Sequence, residues 1–137
     1  MRQELYHVDA QRARVELGLA ADRPVVLVTG GSQGAQRLNE CAPAALGAFG
    51  EPVQVLHLAG LGRDQEMRRR YAEYESVTTA HVRTVAMDMD RMLGAADLVI
   101  CRGGGTTVAE LMAAGRPAII VPYPHHKDQQ QLHNARV

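Results

Sequence analysis

Val26-Leu27-Val28-Thr29-Gly30-Gly31-Ser32-Gln33-Gly34-Ala35 reads as a buried strand that runs into a glycine-rich turn and on into a helix. Glycines let the backbone approach a phosphate closely, and the helix start behind them offers unpaired N–H groups and a partial positive charge. On that reading Ser32 adds a hydroxyl contact. The competing reading is a tight strand-to-helix turn with Ser32 as its N-cap, which needs no ligand. Two familiar phosphate loops are set aside on spacing. A Walker loop needs Gly-Lys-Ser/Thr, and no lysine follows Gly34. A dinucleotide fold wants an acidic residue at the end of the second strand, and here that strand ends Leu58-Ala59-Gly60, which disfavours an NAD enzyme.

Outward from this stretch, short apolar runs alternate with helical patterns, which points to an α/β fold with a largely parallel sheet. Strands are predicted over residues 25–29, 53–58, 81–85, 98–101 and 118–121. Between the first two, Leu38, Cys41, Ala42, Ala45, Leu46 and Phe49 recur at helical spacing as one stripe facing the sheet, and Pro43 is expected to kink or restart that helix. Asp64 is placed as the cap of a helix carrying Met67, Tyr71 and Tyr74, and Asp88 as the cap of one carrying Met89, Met92, Leu93 and Ala96. The helix after Thr107 ends at Gly115-Arg116-Pro117. A last helical start at 128–137 reaches the end of the sequence with no strand after it, so a single domain truncated at its C-terminus is expected.

A second strand, glycine turn and helix start is Cys101-Arg102-Gly103-Gly104-Gly105-Thr106-Thr107-Val108-Ala109-Glu110. Glu110 lies one helical turn beyond the loop, placed to accept both hydroxyls of a ribose whose diphosphate sits at the helix N-terminus. Thr107-Val108-Ala109-Glu110 is equally a capping box. A third polar loop, Pro122-Tyr123-Pro124-His125-His126-Lys127-Asp128, leads into Gln129-Gln130-Gln131 and Asn134. The neutral amides Gln130 and Gln131 suit sugar hydroxyls because they donate and accept at once. Asp128 with Gln131 is also read as a helix cap.

Composition narrows the partners. Fifteen basic residues balance fifteen acidic ones, so the field that gathers nucleic acid or anionic lipid is missing. Arg68-Arg69-Arg70 reads as a solvated helix face. Cys41 and Cys101 have no zinc or disulfide spacing, which makes a reducing cytoplasm the simplest home, and Cys101 reads as a core thiol. His125, His126, Asp128 and His133 match no metal-ligand spacing, and Asp88-Met89-Asp90 opens a helix, so no metal is expected. No apolar run approaches the roughly 18 residues of a membrane helix.

Taken together, Gly30-Gly31-Ser32-Gln33-Gly34-Ala35, Asp88-Met89, Ala96-Asp97, Cys101-Arg102, Thr107 with Glu110, and His126-Lys127-Asp128 followed by Gln130-Gln131 and Asn134-Ala135 closely resemble the MurG-type glycosyltransferases of family 28, over nearly the whole chain. The resemblance implies a Rossmann-like parallel sheet flanked by helices, the C-terminal donor-binding domain of a two-domain GT-B enzyme. It implies UDP-N-acetylglucosamine as donor, no cofactor, and a lipid-linked acceptor held by an N-terminal domain. That absent domain would carry the catalytic base and any peripheral membrane contact of a cytoplasmic full-length enzyme.

Carried over by position, Glu110 would hold the ribose hydroxyls, and the turn of Gly31, Ser32, Gln33 and Gly34 the diphosphate. Gly105, Thr106 and Thr107 would serve the phosphate side of the second loop, and Gln130 and Gln131 the hexose. The backbone of Ala86 and Met87 would pair with the uracil edge, and Arg2 matches an interdomain arginine that reaches the nucleotide. Gly103 and Gly105 depart from relatives with serine or alanine, and Ala86 replaces a bulkier residue at the base-binding turn. Two alternatives stand beside this reading: another GT-B UDP-sugar enzyme such as a UDP-N-acetylglucosamine 2-epimerase, and a non-catalytic nucleotide-binding module.

Overall fold

The strand β1 (Val25–Thr29) is buried at every residue and lies at the centre of a five-stranded, all-parallel sheet of order β3-β2-β1-β4-β5. The computed structural model describes residues 8–31, 35–125 and 127–136. Along β1 the side chains divide by parity, as the two-residue period of a strand demands. Val25 and Leu27 enter a core with Leu17, Met92, Leu93 and Leu111, while Val26 and Val28 enter another with Leu38, Leu46, Met67 and Tyr71. An unbroken apolar run is therefore required, because both faces are covered.

Helices α1 (Ala10–Glu16), α4 (Met89–Ala95) and α5 (Gly105–Ala114) cover the first face, and α2 (Gln36–Gly47) and α3 (Asp64–Ala72) the second. The remaining strands are β2 (Val53–Leu58), β3 (Thr78–Arg83), β4 (Leu98–Cys101) and β5 (Ala118–Ile120), and a short α6 (Gln130–Asn134) follows. The chain builds β1, β2 and β3 outward in one direction and then returns to lay β4 on the other side of β1. This reversal leaves a crevice beyond the carboxyl ends of β1 and β4, the usual ligand position in an open parallel sheet.

Several boundaries differ from the sequence reading. The third strand spans Thr78–Arg83, not 81–85, because it pairs with all six residues of β2, from Val53↔Thr78 to Leu58↔Arg83. It is an edge strand in which only Thr78 and Val82 are buried, so its first half carries no apolar signal. The fifth strand stops at Ile120. Helix α2 passes through Pro43 as one element, and its buried stripe is Leu38, Ala42 and Leu46, with Cys41 and Phe49 exposed.

Caps moved as well. Arg63, not Asp64, is the N-cap of α3, and Gly104 is the N-cap of α5, so Thr107 and Glu110 lie inside that helix and form no capping box. Asp88 is the N-cap of α4 by position, but its carboxylate pairs with Arg83 and caps nothing.

Candidate functional site

Thr29 and Cys101 are register partners, so the two glycine turns leave the sheet from the ends of neighbouring strands. Gly31, with φ +85°, adopts the left-handed backbone that favours glycine, and its N–H donates to Thr29 Oγ1 at 3.3 Å. Behind the turns start α2 and α5, and among the described residues neither has a side-chain cap on its first N–H groups.

Two adjoining cavities fill this edge. The larger, about 740 Å³, is lined by Gly30, Gly31, Gln36, Arg37, Glu40, Arg102, Gly104, Thr107, Tyr123, His125 and Gln131. The smaller, about 370 Å³, is lined by Thr29, Gly31, Leu58, Val85, Ala86, Met89, Leu93, Thr106, Thr107 and Glu110. Gly31 and Thr107 belong to both, so the two cavities meet between the glycine turns. The smaller has an apolar wall with a carboxylate and hydroxyls at its rim, which suits a flat, partly apolar ring with polar edges.

The third loop closes the larger cavity. The backbone N–H of Tyr123 donates to Gln131 Oε1 at 2.8 Å, and Asn134 Nδ2 donates to the Gly103 carbonyl at 2.9 Å. Gln131 lines the cavity with its carboxamide fixed by that bond, which leaves its N–H groups and one oxygen lone pair for a ligand. A β-carbon on Gly103 would run into the Gln131 carbonyl, so glycine is what lets α6 sit this close.

Charge is arranged around the same cleft. Arg102 has no carboxylate partner among the described residues, and at the rim the Gln36 amide and then Arg37 hold the Glu40 carboxyl below its usual range against the opposing effect of burial. Glu110 is half-buried and joins no ion pair among the described residues. Burial pushes the Cys101 thiol up to about 11, so it stays protonated and packs as a core group. Among the described residues no group of three or more His, Cys, Asp or Glu is placed to hold a metal ion.

Of the site residues read from the sequence, Gly31, Ala86, Thr106, Thr107, Glu110 and Gln131 line the paired cavities. Met87 lines neither and is 90% exposed, because its side chain turns outward where Ala86 turns in. Gln130 also lies outside them, with its amide donating to Asn134 Oδ1 at 3.3 Å. Gly105 opens α5 and faces Asn134 rather than the cavities. Asp128 is not the cap of α6: Gln129 holds that position, and Asp128 lies before it, accepting from the Gln130 N–H at 3.2 Å. Arg2, Ser32, Gln33, Gly34 and His126 lie outside the described residues.

Sequence reasoning assigned no role to Arg102, Tyr123 or the apolar wall of Leu58, Val85, Met89 and Leu93. Arg102 was visible beside its glycines. The wall had no local signal, since its four residues come from three separate stretches of chain.

Fold and cleft define a class: a doubly wound parallel α/β domain with a cleft at the point where strand order reverses. The chain belongs to the glycosyltransferase family 28 C-terminal domain family, whose model matches residues 25–137. It is 43% identical over 123 residues to the UDP-N-acetylglucosamine–N-acetylmuramyl-(pentapeptide) pyrophosphoryl-undecaprenol N-acetylglucosamine transferase of Hahella chejuensis, covering 88% of this chain and 34% of that protein. With the enzyme of the same name from Methylococcus capsulatus it shares 48% over 111 residues, covering 80% and 31%. The crystal structure of Acinetobacter baumannii MurG superimposes with a TM-score of 0.83 at 34% identity, covering 97% of this chain and 38% of that one. The chain thus spans about a third of the length of the curated relatives it matches.

Proposed function

We propose that this chain is the donor-binding half of an inverting hexosaminyltransferase, and that it binds UDP-N-acetylglucosamine across the two adjoining cavities. The observation that carries the reading is the pair of glycine turns on neighbouring strands, with Gly31 and Thr107 common to both cavities. A diphosphate at that junction meets the open N-termini of α2 and α5, both long enough for their terminal N–H groups and dipoles to favour an anion.

The uridine then lies in the smaller cavity, its base against the apolar wall and the backbone at Ala86, its ribose hydroxyls on Glu110. Thr106 and Thr107 serve the phosphate side, and the hexose extends toward Gln131, whose N–H groups donate to sugar oxygens. The acceptor hydroxyl attacks the anomeric carbon from the face opposite the leaving UDP, its bond to carbon forming as the C–O bond to the diphosphate breaks and its proton passing to a base. Negative charge grows on UDP, where the helix termini stabilise it. Acceptor and base belong to a partner domain, and the acceptor is the lipid-linked muramoyl pentapeptide in the names of the relatives. A cytoplasmic enzyme held peripherally at the membrane fits this reading. Among the described residues no helix is long and apolar enough to cross a membrane.

Isothermal titration calorimetry of the chain with UDP-N-acetylglucosamine tests the proposal. Saturable one-to-one binding, competed by UDP and not by NAD, is expected. Absence of heat with both uridine nucleotides at millimolar concentration removes the donor-binding assignment.

A further inference from the structure

One side chain ties together the walls of the larger cavity. Arg102 stands between β4 and the second glycine turn, and its Nη1 donates to the carbonyls of Val121 at 3.0 Å and Pro122 at 3.1 Å, just beyond β5. Its guanidinium lies over the Tyr123 ring, 5.7 Å from the centroid. Tyr123 holds the Gln131 carboxamide through its N–H, and Asn134 of the same helix returns to the carbonyl of Gly103, the residue after Arg102. The circuit is closed, and Arg102, Tyr123 and Gln131 all line the cavity.

We propose that Arg102 is a positioning residue that clasps the 121–123 segment to the second glycine turn and thereby holds the Gln131 carboxamide in place for the hexose. The inference rests on the nucleotide-sugar reading above. A guanidinium suits the task because it is a rigid planar fork that bridges carbonyls and stacks on a ring at once, whereas an ammonium is a point charge on a flexible stem. The clasp therefore separates from charge: Arg102→Lys keeps the cation and loses the bridge.

The test is calorimetric titration of the wild type, Arg102→Lys, Arg102→Met and Gly103→Ala with UDP-N-acetylglucosamine and with uridine monophosphate, which carries the nucleotide but no hexose. Both Arg102 variants are expected to bind UDP-N-acetylglucosamine about tenfold more weakly, the effect of one misplaced hydrogen bond, and to keep uridine monophosphate affinity within about twofold. Gly103→Ala should give the same pattern with Arg102 intact, because its β-carbon forces α6 off the turn. Wild-type affinity in Arg102→Lys overturns the clasp in favour of charge alone, and equal loss of both ligands in the variants overturns it in favour of general collapse. If Arg102→Met does not melt cooperatively, Arg102→Lys and Gly103→Ala decide. Failure of the wild type to bind either ligand is a different result: it refutes the nucleotide-sugar reading itself, and the clasp with it.

Discussion

Glu110 illustrates how a residue type and its placement share the argument. Its spacing from the second glycine turn was compatible with a capping box or with a ribose contact. Helix α5 begins at Gly105 after its N-cap Gly104, so Thr107 and Glu110 form no capping box, and Glu110 lines the smaller cavity. Glu110→Ala is expected to weaken UDP binding by about 1–3 kcal/mol, since the carboxylate proposed to hold the ribose hydroxyls is lost, with the melting temperature essentially unchanged. Unaltered affinity in titration calorimetry would remove the ribose role. Gln131 teaches the reverse lesson. Its bifunctional amide was legible in the sequence, but the Tyr123 N–H that fixes its oxygen comes from a loop eight residues away and was not.

At the scale of elements, four of the strands begin where the sequence places them, and the glycine turns follow β1 and β4 as expected. Helix α1 was not foreseen. It is short, N-capped by Asp9 accepting from the Arg12 N–H, and closed by Gly18 at φ +71°, but its apolar content is too sparse to stand out as a periodic stripe. What anchors it is tertiary. The buried Arg14 donates to the carbonyls of Ala95 and Ala21 and pairs at 2.7 Å with Asp97, whose carboxylate also accepts from the Val25 N–H at the start of β1. Arg14→Met keeps the aliphatic stem but forfeits these bonds and leaves the two carbonyls and Asp97 short of a donor. A loss of about 2–3 kcal/mol in urea denaturation is expected. A change below about 0.5 kcal/mol, typical of an exposed pair, would mean the anchor is idle.

The stability of the molecule as a whole should depend on pH through one buried group. His57 on β2 is fully buried between α2 and α3, with Nδ1 2.7 Å from the Tyr71 hydroxyl and Nε2 2.8 Å from Asn39 Oδ1. Asn39 donates its amide to the Ala59 carbonyl, so its oxygen faces His57, Nε2 carries the proton, and Nδ1 accepts from Tyr71. The network is complete with a neutral ring, and burial lowers the His57 pKa from 6.5 to about 4. The folded pKa is thus below the unfolded one. The stabilising contribution is whole above pH 6.5, shrinks as unfolded chains take up the proton, and is gone once pH falls through about 4. Its full size is about 3 kcal/mol. His81, lowered by burial and then by Arg83, acts with the same sign. Urea denaturation from pH 8 to 4.5 should show this decline, reduced in His57→Leu; an identical slope in that variant would remove His57 as its source.

The sequence by itself determined the class of fold, the two strand-to-glycine-turn units and the residue types that can hold a nucleotide sugar. These are written in contiguous residues, where apolar runs, glycines and helix starts act over a few positions. Only the tertiary structure decided that the two turns stand side by side on β1 and β4, that Ala86 faces inward and Met87 outward, and that Arg102, Tyr123 and Gln131 form one circuit. The reason is that strand order and helix docking are settled by burial on both faces of the sheet, which couples residues tens of positions apart and leaves no mark in local spacing.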